Sequence, residues 1–329
     1  MCAIEFNEQD LIASFAKRHR SQDPKVLCGI GDDAAVLKFH GKLLATSDAL
    51  QEKIHFDWAY TSPFLLGRKS LSVNLSDIAA MGGKALWALV TLAIPHHEKL
   101  YRIEEFQKGL HQIAQEYGVQ IVGGDTDHSR SGWKVSITIL GEAGSPVYRH
   151  TARVGDDIWV TGFLGYSALG LECLRKKKSS MKDKRNPFIQ THLNPKPRLP
   201  EGLALSKNKI VHAMMDVSDG LILDLERMCE ASQKGAEIRL QALPRSKRFL
   251  DLCKALKKSP ETLMLSGGED YELLFTASPQ QGSKIQCLFA KLKTPVHHIG
   301  KITPHAKKIQ ILDAENKPIS LRKKGYSHF

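Results

Sequence analysis

Gly29-Ile30-Gly31-Asp32-Asp33-Ala34-Ala35-Val36-Leu37 places two adjacent carboxylates between a glycine-flanked turn and an apolar run. Isolated carboxylates are costly to desolvate, so a pair at the edge of an apolar segment calls for a cation or for hydrogen-bond donors that keep it charged. The arrangement recurs outward from this stretch. Lys42 to Thr46 reads as a strand that stops at Thr46-Ser47-Asp48, three oxygen-bearing side chains in succession, although an ordinary polar turn has the same composition. Val119 to Val122 reads as a short strand that runs into a Gly123-Gly124-Asp125-Thr126-Asp127 turn. Val211 to Met215 ends as a strand at Asp216-Val217-Ser218-Asp219-Gly220, and Gly267-Gly268-Glu269-Asp270 precedes a strand from Leu273 to Ala277.

Helical periods fill the intervals. Leu11, Ile12, Phe15 and Ala16 follow Asn7 as a plausible cap, and Ser62-Pro63 opens a helix that Gly82-Gly83 ends. Asp77 sits in that helix among small and apolar residues, where a lone carboxylate needs a cation or donors. Ala85 to Ile94 reads as a buried strand, Lys99 to Tyr117 as an amphipathic helix closed by Gly118, and Trp133 to Gly141 as a further strand. Gly144, Pro146 and Gly155 mark a boundary, after which Asp157 to Thr161 is a strand, and Gly165 to Leu174 and Leu221 to Ala231 are helices. Lys176 to Pro200, rich in lysine, serine and proline, reads as a long flexible loop.

A chain of 329 residues exceeds one ordinary core and suggests two domains. No apolar run reaches the roughly 18 residues of a membrane span, and the N-terminus lacks the order of a signal peptide, so a cytoplasmic location is the default. Six scattered cysteines without a CxxC pair argue against a zinc site or a disulfide framework. The net charge of +12 suits either attraction of anionic small molecules or a nucleic-acid surface. Much of the excess lies in basic runs such as Arg175 to Lys178 and Arg322 to Lys324, which read as solvated loops, whereas the acids recur beside glycines.

Carboxylates and hydroxyls without histidine or cysteine partners are hard oxygen ligands, suited to magnesium, calcium or manganese. Glycine turns add N–H groups that approach phosphate oxygens closely. A GxxxxGK[ST] loop and the HRD and DFG pair of protein kinases are both absent from the sequence. The residues alone therefore leave two readings, a multi-metal nucleotide-using enzyme and a calcium-stabilised binding protein.

Taken in order, GIGDDAAVL, TSDAL, VNLSDIAAMGG, GGDT, RHTARVGDDIWVTG with LGYSALGL, HLNPKPRL, DVSDGL, LSGGEDYEL and the terminal GYSHF resemble the thiamine-monophosphate kinase family. That family belongs to the aminoimidazole ribonucleotide synthetase-like superfamily. The resemblance implies an α/β fold of the α+β type with mixed sheets, an N-terminal domain over 1–145, a C-terminal domain over 146–329, and a homodimer built through the N-terminal domains. It implies transfer of the ATP γ-phosphoryl group to thiamine monophosphate with several Mg2+ ions, and no nucleic-acid or membrane partner. By similarity the metal set is Asp33, Thr46, Ser47, Asp48, Asp77, Asp125, Asp216 and Asp219; Gly124, Asp125, Arg149 and Ser218 contact ATP; and His55 and Glu269 contact the thiamine monophosphate. Where the family can place an aromatic side chain against the substrate, this chain has Lys323, so ring stacking is lost or passes to Tyr326. The acceptor phosphate has its second ionisation near pKa ~6 and needs no strong general base, in keeping with the absence of an assigned catalytic acid or base. A selenophosphate synthetase would need a reactive cysteine in a glycine-rich N-terminal segment, a setting that Cys2 and Cys28 lack.

Overall fold

The structure is a computed structural model that describes residues 8–30, 34–176, 185–306, 308–319 and 325. Asp32, Asp33, Lys323 and Tyr326 lie outside the described residues. The chain divides into two compact units, the first holding residues 1–78 and 83–144 and the second 79–82 and 145–329.

The first unit contains α1 (Glu8–Arg18), β1 (Val26–Cys28), β2 (Val36–Leu37), β3 (Leu43–Gln51), α2 (Pro63–Ala80), β4 (Lys84–Ile94), α3 (Leu100–Tyr117), β5 (Gln120–His128) and β6 (Lys134–Glu142). Its main sheet has the order β3-β6-β4-β5, with β4 and β5 parallel and the other pairs antiparallel. Ser62 Oγ accepts the Leu65 N–H at 3.3 Å and starts α2, as its cap-then-proline order predicts. Gly118, at φ 67°, closes α3 in the left-handed region. Leu66, Leu71 and Leu75 of α2 are fully buried, each worth roughly 2 kcal/mol by removal from water. The α2–α3 crossing depends on two glycines. A Cβ at Gly67 would lie 2.1 Å from the Phe106 carbonyl oxygen, and one at Gly109 would lie 1.9 Å from that of Phe64.

Two segments that read as turns are strand. β3 runs through Thr46-Ser47-Asp48 to Gln51, and β5 runs through Gly123-Gly124-Asp125-Thr126-Asp127 to His128. The glycines make the second possible: β5 shifts register against β4 between Ala88 and Leu89, and a Cβ on Gly124 would meet the Val90 carbonyl oxygen at 1.9 Å.

The second unit contains β7 (Asp157–Thr161), α4 (Tyr166–Arg175), α5 (Pro187–Leu193), α6 (Leu199–Asn208), β8 (Ala213–Val217), α7 (Leu221–Ser232), β9 (Gly235–Arg239), α8 (Lys247–Leu256), α9 (Pro260–Ser266), β10 (Glu272–Ala277), α10 (Gly282–Leu292), β11 (Val296–Thr303), β12 (Ile309–Leu312) and β13 (Pro318–Ile319). Its sheet has the order β13-β12-β9-β11-β7-β10-β8, antiparallel except for the β12–β9 pair. Both main sheets are thus mixed, as the α+β reading requires. Every residue of β7, β8 and β10 is buried, which fits strands covered on both faces. The stretch from Lys176 to Pro200 is not one flexible loop. It holds α5, whose Asn186 side chain accepts the Phe188 N–H at 3.1 Å, and the start of α6. Proline and polar residues there serve as helix starts and caps: Pro187 and Pro200 both occupy first-turn positions.

Candidate active site

Register decides where the oxygen-bearing side chains of the first unit point. Paired residues share a face of a sheet, and successive residues alternate. Thr46 and Asp48 pair with Ile139 and Ile137, both buried, on the face that α2 covers. From α2, Asp77 Oδ2 accepts the Thr46 hydroxyl at 2.5 Å, and Asn74 Oδ1 accepts the Asp48 backbone N–H at 2.9 Å. Asp77, the one acid of α2, therefore has its donor in β3.

Ser47 points to the other face, where its Oγ accepts the Thr138 hydroxyl at 3.0 Å. Asp125 shares that second face, because it pairs with Thr91, Thr91 with Ser136, and Ser136 with Ala49. The sheet thus brings Thr46, Asp48 and Asp77 together and sets Ser47 and Asp125 on the opposite side, with β6 and β4 between their strands. Gly124 precedes Asp125 on β5, and His55 lies in the turn after β3, where its Nδ1 accepts the Gln51 N–H at 3.0 Å. In a neutral ring that bond puts the proton on Nε2.

In the second unit, β8 carries Asp216, 8% exposed, one residue before its end at Val217, and the 218–220 turn follows. The turn is organised by a residue that sequence reasoning missed. Asp224 in the first turn of α7 accepts with Oδ2 the N–H groups of Ser218, Asp219 and Gly220 at 3.1, 3.0 and 3.1 Å. Its other oxygen accepts from Arg227 Nη1 at 2.8 Å, and the same guanidinium nitrogen lies 2.6 Å from Asp219 Oδ2. Burial pushes the Asp224 carboxyl up to about 6, against the pull of the Asp219 N–H. Gly268 packs on this turn, since a Cβ there would lie 2.6 Å from the Ser218 carbonyl oxygen, and Gly325 of the terminal motif sits equally close to that of Asp219, at 2.7 Å.

The 267–272 loop crosses the same turn. Glu269 N–H donates to the Ser218 carbonyl at 2.7 Å and Tyr271 N–H to that of Val217 at 2.9 Å. Between them Asp270, 3% exposed, accepts the Gly165 N–H at 2.6 Å and the Ser167 N–H at 2.9 Å. Burial pushes this carboxyl up to about 8, with the two N–H donors pulling the other way. Glu272 is forked by Arg198, Nε to Oε2 at 2.6 Å and Nη2 to Oε1 at 2.5 Å. Arg149 lies on an exposed 3-10 turn over Arg149–Thr151, its carbonyl accepting the Ser232 hydroxyl at 3.0 Å.

The candidate ligand atoms on β3, α2, β5, β8 and the 218–220 turn are oxygens, the kind that magnesium takes. Among the described residues no three His, Cys, Asp or Glu side chains gather at one point. Asp33 lies outside the described residues.

Residues 31–143 match the AIR synthase related protein, N-terminal domain, and residues 153–312 match the corresponding C-terminal domain, which defines the class as an AIR synthase related two-domain protein. The chain is 37% identical over 330 residues to thiamine-monophosphate kinase of Buchnera aphidicola, covering 99% of this chain and 100% of that protein. It is 36% identical over 332 residues to the Bacillus subtilis thiamine-monophosphate kinase, covering 98% and 99%. The structure of AaThiL complexed with AMPPCP and TMP matches with a TM-score of 0.79 at 32% identity, over 100% of this chain and 99% of that one. The chain belongs to the thiamine-monophosphate kinase family.

Proposed function

We propose that this chain transfers the γ-phosphoryl group of ATP directly to the phosphate of thiamine monophosphate, giving thiamine diphosphate and ADP. The observation that carries the reading is its full-length similarity to thiamine-monophosphate kinases, one of them complexed with AMPPCP and TMP. The acceptor is already largely anionic at neutral pH, so the barrier lies in bringing two anions together in line. We propose oxygen ligands for Mg2+ within each unit: Asp33, with Thr46, Asp48 and Asp77 on one face of the first unit's sheet and Ser47 and Asp125 on the other, and Asp216 and Asp219 in the second unit; ions held there would supply the neutralising charge.

Gly124, Asp125, Arg149 and Ser218 bind the nucleotide. For Arg149, an exposed guanidinium supports a phosphate contact. His55 and Glu269 bind the thiamine monophosphate, and Lys323 takes the place of an aromatic neighbour of its rings. Asp224 acts indirectly, by holding the backbone of Ser218, Asp219 and Gly220 in one arrangement.

A homodimer through the first unit is part of the proposal. Its support is the sheet face that α2 leaves uncovered, with Ala45, Ser47, Ala49, Thr91 and Asp125 exposed, and Leu43 at 50% on the terminal strand. No helix among the described residues is long and apolar enough to cross a membrane, and we place the enzyme in the cytoplasm. Incubation of the purified protein with ATP, MgCl2 and thiamine monophosphate yields thiamine diphosphate and equimolar ADP by chromatography. ADP without thiamine diphosphate under saturating substrate would refute the assignment.

A further inference from the structure

Two sequence motifs, LGYSALGL and HLNPKPRL, hold none of the proposed ligand contacts, yet both close on the loop that carries Glu269. Glu269 and Tyr271 take left-handed backbone angles, φ 64° and 51°, which cost non-glycine residues roughly 1 kcal/mol each. Such a loop persists only when its surroundings fix it. Asp270 fixes its centre on the Gly165 and Ser167 N–H groups, and Arg198 of the second motif fixes its end by the fork on Glu272.

The Glu269 side chain itself meets a third clamp. Its Oε2 lies 3.2 Å from Nδ1 of His192, a ring only 2% exposed, and the same Nδ1 lies 3.0 Å from Ser167 Oγ. A carboxylate only accepts hydrogen bonds, so this contact is favourable when Nδ1 carries the proton. Ser167, itself fully buried on α4, accepts with Oγ from the same Nδ1–H, a shared bond that fixes the orientation of the ring. The Glu269 side chain remains 26% exposed, so its carboxylate is held on one side and accessible on the other.

We propose that His192 is a positioning residue for the acceptor substrate: its Nδ1–H, oriented by Ser167, holds the Glu269 carboxylate in the direction that thiamine monophosphate requires. The inference rests on the reading that Glu269 contacts that substrate. It gives LGYSALGL and HLNPKPRL a shared task, which is to build the rigid wall against which Glu269 is aimed. Buried, preorganised partners of this kind lower the cost of ordering a binding group.

The test compares steady-state KM values for thiamine monophosphate and for ATP in wild type, E269Q, H192L, H192N and the H192L/E269Q double variant, each checked for native circular dichroism. Loss of one charge-assisted hydrogen bond predicts a rise of about ten-fold in KM for thiamine monophosphate in E269Q and H192L, with the ATP KM unchanged. H192N, whose amide N–H takes the place of Nδ1–H, recovers most of the loss, and the double variant is no worse than E269Q. S167A shows the same split to a smaller degree and carries the test should H192L fail to fold. A wild-type KM for thiamine monophosphate in both H192L and S167A, beside a raised value in E269Q, overturns the positioning role and leaves Glu269 in the site. A wild-type KM in E269Q instead removes Glu269 from substrate contact and the inference with it.

Discussion

Removing Arg198 should expose how much of the second unit depends on one buried charge pair. Glu272 is 8% exposed in its side chain and holds two guanidinium bonds, at 2.6 and 2.5 Å, together with the Thr161 hydroxyl at 2.5 Å. In Arg198→Ala the hydroxyl remains and the fork is lost, leaving a carboxylate at the start of β10 without the guanidinium that offsets its desolvation. Breaking a buried pair from one side costs about 3–5 kcal/mol, most of it the unpaired charge rather than the lost bond. The upper part of that range is expected, because Arg198 also lies 3.7 Å from the buried Glu201. Adding Glu272→Gln to R198A removes the stranded charge while keeping an acceptor for Thr161, and should recover about 2 kcal/mol. Urea unfolding at pH 7, followed by circular dichroism, measures all three proteins. An R198A protein within about 1 kcal/mol of wild type, or a double variant less stable than R198A, would show that the charge is not what the fork compensates.

Three further outcomes follow from named groups. Burial raises Asp270 from an ordinary 3.8 to about 8, so the folded chain keeps a proton that the unfolded chain releases between those values, and stability falls as pH rises through that window. The stability of wild type minus that of D270N should therefore decline from pH 5 to 8 by at most about 1.4 kcal/mol per unit; a level or rising difference in urea titrations contradicts it. Burial lowers His19 from 6.5 to about 3, so its contribution is complete above 6.5 and is lost as pH falls toward 3. His19→Gln should flatten that acid limb in thermal melts, and an unchanged limb would count against a buried neutral ring. Asp224→Ala strands three N–H groups of the 218–220 turn, so kcat should drop by about ten-fold or more with a stability loss of about 2 kcal/mol, measured by initial rates and melting; near-normal kcat would separate the turn from the chemistry.

Much of the fold was legible in local signals. Ser62-Pro63 and Gly118 mark helix ends by capping chemistry that is complete within a few residues. At β8 the strand starts later and continues past the expected stop at Asp216, through Val217, because β10 pairs with both residues. Thr46-Ser47-Asp48 and Gly123 to Asp127 were harder, because polar residues and glycines carry turn chemistry wherever they occur. The signal in the first was the alternation Leu44, Thr46, Asp48, Leu50, which continues the strand through the polar residues. Facing could not be read at all before register was known, and it is register that separates Ser47 and Asp125 from Thr46, Asp48 and Asp77.

In the second unit the proline-rich stretch concealed two helices because Pro187 and Pro200 act as helix starters rather than loop formers. Asp224 had a readable signal, an acid in the first turn of a helix just after a turn of small residues. The partners of Glu269 and Glu272 had none. His192 and Arg198 stand more than seventy residues from the carboxylates they hold, and only the tertiary fold brings them together.

The central claim is direct transfer from nucleotide to acceptor, and a single-turnover reaction with ATP radiolabelled in its γ-phosphate, Mg2+ and excess thiamine monophosphate tests it most directly. Label should pass from ATP into the terminal phosphate of thiamine diphosphate, with none retained on the protein and none released as inorganic phosphate in step with product. Label recovered first on the protein, or only as inorganic phosphate, would contradict it.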